Sequence, residues 1–261
     1  MIKHTFMLIS LLLMGCNNQD KATAPPIINV PPVSNTPITD NSSENNYFIL
    51  LFGNSHVASN DLGGLISALI TTNYPQKTVS YTRASKALFL DERVTDPESN
   101  QLIQQQPWTH VILQAQKYSV SGTVDYPIDG ALHWIEQVKN ISATPILFPE
   151  HAQQGNPEEG TRVHQLHQRI TQQNSSCIAP IGLAWNEALS QYPQLQLYRP
   201  DGNHAQLLGS FLTALVFYYI ISADQQVTLE PLTTVAIDEI TQQQLADIAQ
   251  STLAAYPACT A

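Results

Sequence analysis

Charge is what this sequence has least of. Of its 261 residues only 11 are Lys or Arg and 21 are Asp or Glu, 12% together, for a net charge of -10. So few cations in an acidic chain exclude the basic face that a nucleic-acid binder needs. An acidic disordered protein is excluded as well, because it would pair high charge with few apolar residues, whereas 43% here are hydrophobic. Cysteine occurs three times, too rarely for a disulfide scaffold. No apolar run approaches the roughly 20 residues that cross a bilayer; residues 211–221 are strongly apolar but number only 11. Internal repeats are absent. Amide and hydroxyl groups take the place of charge, with 25 Gln beside many Asn, Ser and Thr, which reads as a neutral, hydrogen-bonding surface. The length suits one large domain or two small ones, at roughly 100–200 residues each.

The first residues read as an address. MIKHTFMLISLLLMGC places Lys3 before an apolar run from Phe6 to Met14, with Gly15 and Cys16 after it. A cation, a short apolar core and a small residue at the cut point describe a secretory signal peptide over residues 1–15. Leu13-Met14-Gly15-Cys16 resembles the lipobox of bacterial lipoproteins, which implies acylation of Cys16 as the mature N-terminus. That leaves 246 residues carrying -11, since Lys3 departs. Such a charge argues against attraction to anionic lipids, so the lipid on Cys16 is expected to be the only membrane attachment. By the same resemblance, Asn17 favours the periplasmic face of the outer membrane or the cell surface. Residues 16–46 then form a tether, Pro-rich at 25–26, 31–32 and 37 and without hydrophobic periodicity. The domain is expected at 47–261. In an oxidising periplasm Cys177 and Cys259 are a natural disulfide pair, two buried thiols being the alternative.

Strands and helices alternate along that domain. Tyr47–Phe52 is a continuous apolar run, as in a strand buried on both faces. Further strands are expected at 78–82, 109–113, 145–148 and around 177–179. Helices are expected at 61–72, 99–106, 126–139, 158–173, 184–190, 205–222 and 237–255. The alternation implies an α/β fold, a five-stranded parallel sheet between two helical layers. Chemistry in such sheets gathers at the carboxyl ends of the strands.

Two strand-end motifs stand out. The first strand runs into Gly53-Asn54-Ser55-His56, where a small residue permits a tight turn and a hydroxyl can face a cleft. Near the other end, Arg199-Pro200-Asp201-Gly202-Asn203-His204 precedes the long apolar helix. Asp and His three apart at a helix start can set a carboxylate beside Nδ1–H and leave Nε2 as a base. Read singly, the first could be a polar turn and the second a helix cap beside a solvated His.

Together, Gly-Asn-Ser after the first strand and Asp-x-x-His before the last large helices resemble the SGNH (GDSL-like) hydrolase superfamily. The resemblance spans the topology of 47–261, although only these two motifs are sharp. It implies a three-layer, flavodoxin-like fold and a serine esterase needing no metal or organic cofactor. Ser55 would be the nucleophile, His204 the base and Asp201 its orienting carboxylate. The Gly-x-Asn-Asp that usually ends the third strand is replaced by Gln114-Ala115-Gln116. In register Gln116 falls on the Asn, so it is the expected oxyanion donor, with Gln114 the alternative. No glycine follows the second strand, so a backbone N–H at or near Ser85 would join the Ser55 N–H there. Short acyl esters or O-acetyl groups, on small molecules or glycans, are the implied substrates. A non-catalytic envelope lipoprotein of the same fold, binding a glycan or a protein, is the alternative, and a metal-dependent hydrolase a weaker third.

The remaining candidates are lesser. His164-x-x-His167 reads as two solvated histidines more readily than a metal site. Glu150-His151 follows the fourth strand at the edge where a cleft is expected. Arg83 and Lys86 could meet an acidic substrate or face water.

Overall fold

A computed structural model describes residues 37–223 and 228–259. The signal peptide, Cys16 and the tether up to residue 36 lie outside the described residues. Strand β1 (Asn46–Phe52) leads through α1 (Ser55–Ala58) and a short 3-10 turn (Ser59–Asp61) to α2 (Leu62–Asn73) and β2 (Thr78–Arg83). Helices α3 (Leu90–Arg93) and α4 (Pro97–Leu102) precede β3 (His110–Gln114), followed by α5 (Asp129–Asn140) and β4 (Thr144–Phe148). Then come α6 (Pro157–Gln173), β5 (Cys177–Ile178), α7 (Ile181–Gln191), α8 (Leu207–Ser222) and α9 (Glu239–Ala255).

The five strands are parallel and ordered β2-β1-β3-β4-β5, the flavodoxin-like order. Alternation along β1 feeds two cores. Tyr47, Ile49 and Leu51 face α2, α7, α8 and α9, while Leu50 and Phe52 face α3, α4 and α5. The central strands β3 and β4 are buried along their whole length, which explains why they read as unbroken apolar runs. Helix α8 packs among α2, α7 and α9. That enclosure accounts for its being apolar all round. No helix among the described residues is long and apolar enough to cross a membrane.

Most element boundaries agree with the periodicity within about three residues. Helices α1 and α3 have only four residues each, too short to show a period. A larger difference is at the start of the domain. Residues 37–45 are not tether: Ile38 packs on the core, Asn41 Nδ2 donates to Thr109 O at 2.9 Å, and Thr144 Oγ1 donates to Thr39 O at 2.6 Å. Buried backbone carbonyls at the foot of β3 need such donors, so the folded unit begins before residue 47.

Cys177 of β5 and Cys259 form a disulfide, and the Ile178 N–H donates to Ala258 O at 2.7 Å. The C-terminal segment therefore lies along the outer side of the last strand, where unpaired backbone groups would otherwise be open to another chain. The bridge closes a loop spanning 82 positions. Cys259→Ser is expected to lower unfolding free energy by about 2–4 kcal/mol, measured by urea unfolding. Reducing agent should bring the wild type to the same value and leave the variant unchanged.

Candidate active site

The site forms where β1 and β3 end side by side. Phe52 pairs with Leu113, so Gly53 comes level with Gln114. The Gln114 side chain folds over Gly53, and its Oε1 accepts the Asn54 N–H at 2.7 Å. A Cβ on residue 53 would collide with that oxygen and with Val57. Glycine is required here by close approach. Asn54 then caps α1, its Oδ1 accepting the His56 N–H at 3.1 Å. Ser55 is thereby the first residue of a helix, exposed. Its N–H has no carbonyl one turn earlier to bond.

The Asp201–His204 segment is a loop and not the opening of α8, which is capped by Gln206. Gly202, at φ +67°, makes its tight turn. Asp201 Oδ1 accepts the N–H groups of both Asn203 and His204 at 2.9 Å, an Asp folding back on its own turn. Asp201 Oδ2 lies 2.8 Å from His204 Nδ1, and His204 Nε2 lies 2.9 Å from Ser55 Oγ. The carboxylate assigns the ring proton to Nδ1 and leaves the Nε2 lone pair facing the hydroxyl. Hydrogen bonds from the His204 N–H, the Asn203 N–H and the His204 ring hold the Asp201 carboxyl well below the usual carboxylate range.

Neighbouring segments fix this loop. The Gln154 N–H donates to Gly202 O at 2.8 Å, and His151 Nε2 donates to Asn203 O at 2.8 Å while its ring stacks on Trp185. Asn60 Nδ2 donates to Ala205 O at 3.0 Å, tying the loop to the segment that follows Ser55. Burial keeps His151 neutral, near pKa 3, which suits its buried Nδ1, an atom with no partner to take a second proton's hydrogen bond.

An open cleft of about 560 Å³ lies over Ser55 and His204, walled by Phe89, Lys117, Tyr118, Tyr126, Glu150 and Gln153. The structure brings Ser55, His204 and Asp201 together there. Of the other expected donors, the Gln116 side chain lies elsewhere. Gln116 is buried, and its Nε2 donates to Lys117 O and Pro127 O, both at 2.9 Å. The cause is Ala115, at φ +77°, which turns the chain out of β3. Ser85 is exposed outside the cleft lining, its hydroxyl bonded to Glu98. Gln114 is committed at both ends, to Asn54 and, through Nε2, to Glu150.

Further readings change. His164 and His167 are buried on α6 and not solvated, and His167 Nδ1 donates to Val163 O at 2.8 Å. No cluster of three or more His, Cys, Asp or Glu among the described residues could hold a metal ion. Lys86 pairs with Asp96 and Glu98. A residue with no warning in the sequence is Arg93. It is fully buried, and its guanidinium donates to Gly53 O at 2.7 Å, to Lys86 O and to Ser99 Oγ. Burial lowers it to about 10, so it stays charged and ties the turn after β1 to the loop after β2. Its only signal was a cation in a chain with few.

Two titratable groups flank the site from below. Burial foremost pushes the Glu150 carboxyl up from 4.5 to about 7. Burial, then the nearby His204, brings His56 down to about 4. Their 3.7 Å approach is thus between a neutral imidazole and a carboxyl, not an ion pair. A carboxyl raised on folding stabilises the fold below its unfolded pKa, and that contribution is lost as pH rises through the folded value. Wild-type stability relative to Glu150→Gln should therefore fall by up to about 3 kcal/mol between pH 4.5 and 7 and stay level above. Chemical unfolding of both proteins across that range measures it.

Among solved structures, the chain resembles a DUF4886 family protein from Bacteroides uniformis (TM-score 0.62, 16% identity, covering 81% of this chain and 96% of that one). It also resembles a protein from Slackia heliotrinireducens provisionally described as an SGNH hydrolase (TM-score 0.53, 18% identity, covering 67% and 98%). A two-domain esterase active on acetylated mannans gives a TM-score of 0.50 at 15% identity, covering 76% of this chain and 55% of that one. No family model matches the chain, and no curated protein matches it. At these identities the likeness is one of fold: the chain has the fold of the SGNH hydrolases.

Proposed function

We propose that the protein is a serine esterase that works through Ser55, His204 and Asp201. The observation that carries this reading is the pair of hydrogen bonds in series, 2.8 Å from Asp201 to His204 and 2.9 Å from His204 to Ser55, opening on a cleft. His204 Nε2 takes the Ser55 proton as Oγ attacks an ester carbonyl. The Ser55 N–H, the first of α1, is the backbone donor to the oxyanion in this reading. His204 returns the proton to the departing alcohol, leaving an acyl-enzyme. Water, deprotonated by the same nitrogen, then releases the acid and restores Ser55.

The open, mixed polar and aromatic cleft suits a short acyl group on a bulky alcohol, and a glycan ester fits that description. The activity of the two-domain esterase on acetylated mannans supports the same substrate class by fold alone. A non-catalytic binding lipoprotein is the second reading, and one observation favours it: the Gln116 amide is bonded away from the cleft. Loss of a single oxyanion donor typically costs about 100- to 1000-fold in rate.

A fluorophosphonate probe and p-nitrophenyl acetate separate the two. Labelling and turnover should vanish in Ser55→Ala and fall by about 10⁴-fold or more in His204→Ala. Asp201→Asn should cost less, because its carboxylate is half exposed and screened by water. Labelling that persists in Ser55→Ala, or wild-type protein that neither labels nor turns over, sinks the esterase.

The reading extends to location: a lipid on Cys16 anchors the domain to the bacterial envelope, at the periplasmic face of the outer membrane or the cell surface. Support comes from Leu13-Met14-Gly15-Cys16 and the acidic charge. Cells fed labelled palmitate should label the wild-type protein and not Cys16→Ser.

A further inference from the structure

A buried carboxyl below the cleft reaches both sides of Ser55. Glu150, at the end of β4, is 8% exposed. One oxygen accepts from Gln114 Nε2, and Gln114 Oε1 accepts the Asn54 N–H. Two hydrogen bonds in series thus run from this carboxyl to the backbone just before Ser55. Its other oxygen lies 3.7 Å from Nε2 of His56, the residue just after Ser55. The His56 ring in turn stacks on His204, centroids 5.3 Å apart and planes 18° from parallel.

The other titratable groups around Glu150 are few. The Tyr118 hydroxyl, from the loop after β3, stands 3.4 Å from it and is shared with Glu159 of α6 at 2.9 Å. His151 follows in the chain, its ring edge-on to His56. His204 and Asp201 lie beyond His56. From β3 the neighbour is the neutral Gln114, and from α7 it is Gly182, against the Glu150 carbonyl.

We propose that Glu150 is a positioning residue for Ser55 and His204, and that its ionised form is the working one. This rests on the esterase reading. Ionised, both oxygens are acceptors: Gln114 and Tyr118 donate to them, and a His56 proton on Nε2 faces one of them from 3.7 Å. Gln114 is then held with Oε1 toward Asn54. A protonated Glu150 must donate at one oxygen, and the Gln114 amide nitrogen cannot accept. Two acceptors remain beside that carboxyl, the Tyr118 hydroxyl oxygen at 3.4 Å, whose own proton goes to Glu159, and His56 Nε2 at 3.7 Å. Donation to the second sends the His56 proton to Nδ1, a buried atom without a partner. The same protonation removes an anion beside the His56 ring, which stacks on His204, and an anion there favours the imidazolium formed as Ser55 loses its proton. Asp201 acts on that ring from the wet side, half exposed; Glu150 acts from the dry side, where a charge is felt more strongly. Burial sets the change in charge near pH 7, and His56, near 4, stays neutral throughout.

The test compares kcat/KM for p-nitrophenyl acetate from pH 5.5 to 9 in wild type and Glu150→Gln, which keeps an acceptor for Gln114. The ratio of wild type to variant should rise from near one at the acid end to about tenfold at the alkaline end. Its midpoint should lie near pH 7, with the change in kcat rather than KM. Tyr118→Phe gives a second reading should Glu150→Gln fail to fold. It removes a hydrogen bond that lowers the Glu150 pKa, so the ionisation near pH 7 should move upward in a chain that keeps Glu150. A ratio that is constant with pH, or an unmoved midpoint in Tyr118→Phe, overturns the role and leaves the esterase standing. Absence of any Ser55-dependent turnover in wild type overturns both.

Discussion

The candidate site depends on one hydrogen bond, from the Asn54 N–H to Gln114 Oε1. It joins the ends of two neighbouring parallel strands at the point where the order of the sheet reverses, the place where open α/β sheets put their ligand crevices. The requirement for Gly53 follows from it, since the Gln114 side chain fills the room of a Cβ. The bond also compels what lies beneath. A buried amide nitrogen needs an acceptor, which Glu150 supplies; the Glu150 carboxyl meets Tyr118, and Tyr118 meets Glu159. The series ends where Glu159 accepts the Gln153 N–H at 3.0 Å, on the loop that walls the cleft. Each polar group is present because the one before it was buried.

The approach of Ser55 to His204 is a consequence of scaffolding more than of attraction between them. Arg93 holds the Gly53 carbonyl from one side. On the other side His151 and Gln154 hold the carbonyls of Asn203 and Gly202. Asn60 spans the two halves. A hydroxyl and an imidazole 149 positions apart in the chain are thus set by backbone contacts on three rigid segments. Such an arrangement places reacting groups without spending their own hydrogen-bonding capacity.

The fold was legible because its signals are local or periodic. Unbroken apolar strands, amphipathic helices and the strand-end motifs at 53–56 and 199–204 all sit within short windows, and the topology followed from their alternation. What escaped depends on contacts across the sheet. Gln116 lay in register with an expected donor, but register along a strand ends where the backbone leaves β form, and Ala115 leaves it at once. Arg93 belongs to a four-residue helix whose period cannot be read, and its partners are carbonyls of distant turns. His164 and His167 sit on a helix rich in polar residues, yet face inward against the rest of the domain. Residues 37–45 looked like tether because Pro, Asn and Ser are common there. They are held by side-chain bonds to the feet of β3 and β4, which leave no pattern in the sequence.

The scarcity of charge takes on a different meaning inside the domain. Abundant glutamine suggested a neutral surface, yet Gln114, Gln116 and Gln242 are buried with their amides engaged. Gln242 alone accepts from the Leu232 N–H and donates to Leu232 O and Ile237 O. A neutral amide can bridge a backbone donor and a backbone acceptor in one side chain, without the desolvation cost of an ion. Where most interior polar side chains are neutral amides, hydroxyls and imidazoles, the few charges left inside have little to screen them. Arg93 and Glu159 are fully buried and Lys139 and Glu150 nearly so. Lys139 is held away from the cleft by Asn174 and Ser175, whereas Arg93 bonds the Gly53 carbonyl and Glu150 reaches the turn that carries Ser55 through Gln114. In such surroundings one proton gained or lost at Glu150 is a large local event, so the low charge count of the chain and the electrostatic sensitivity of its cleft have the same origin.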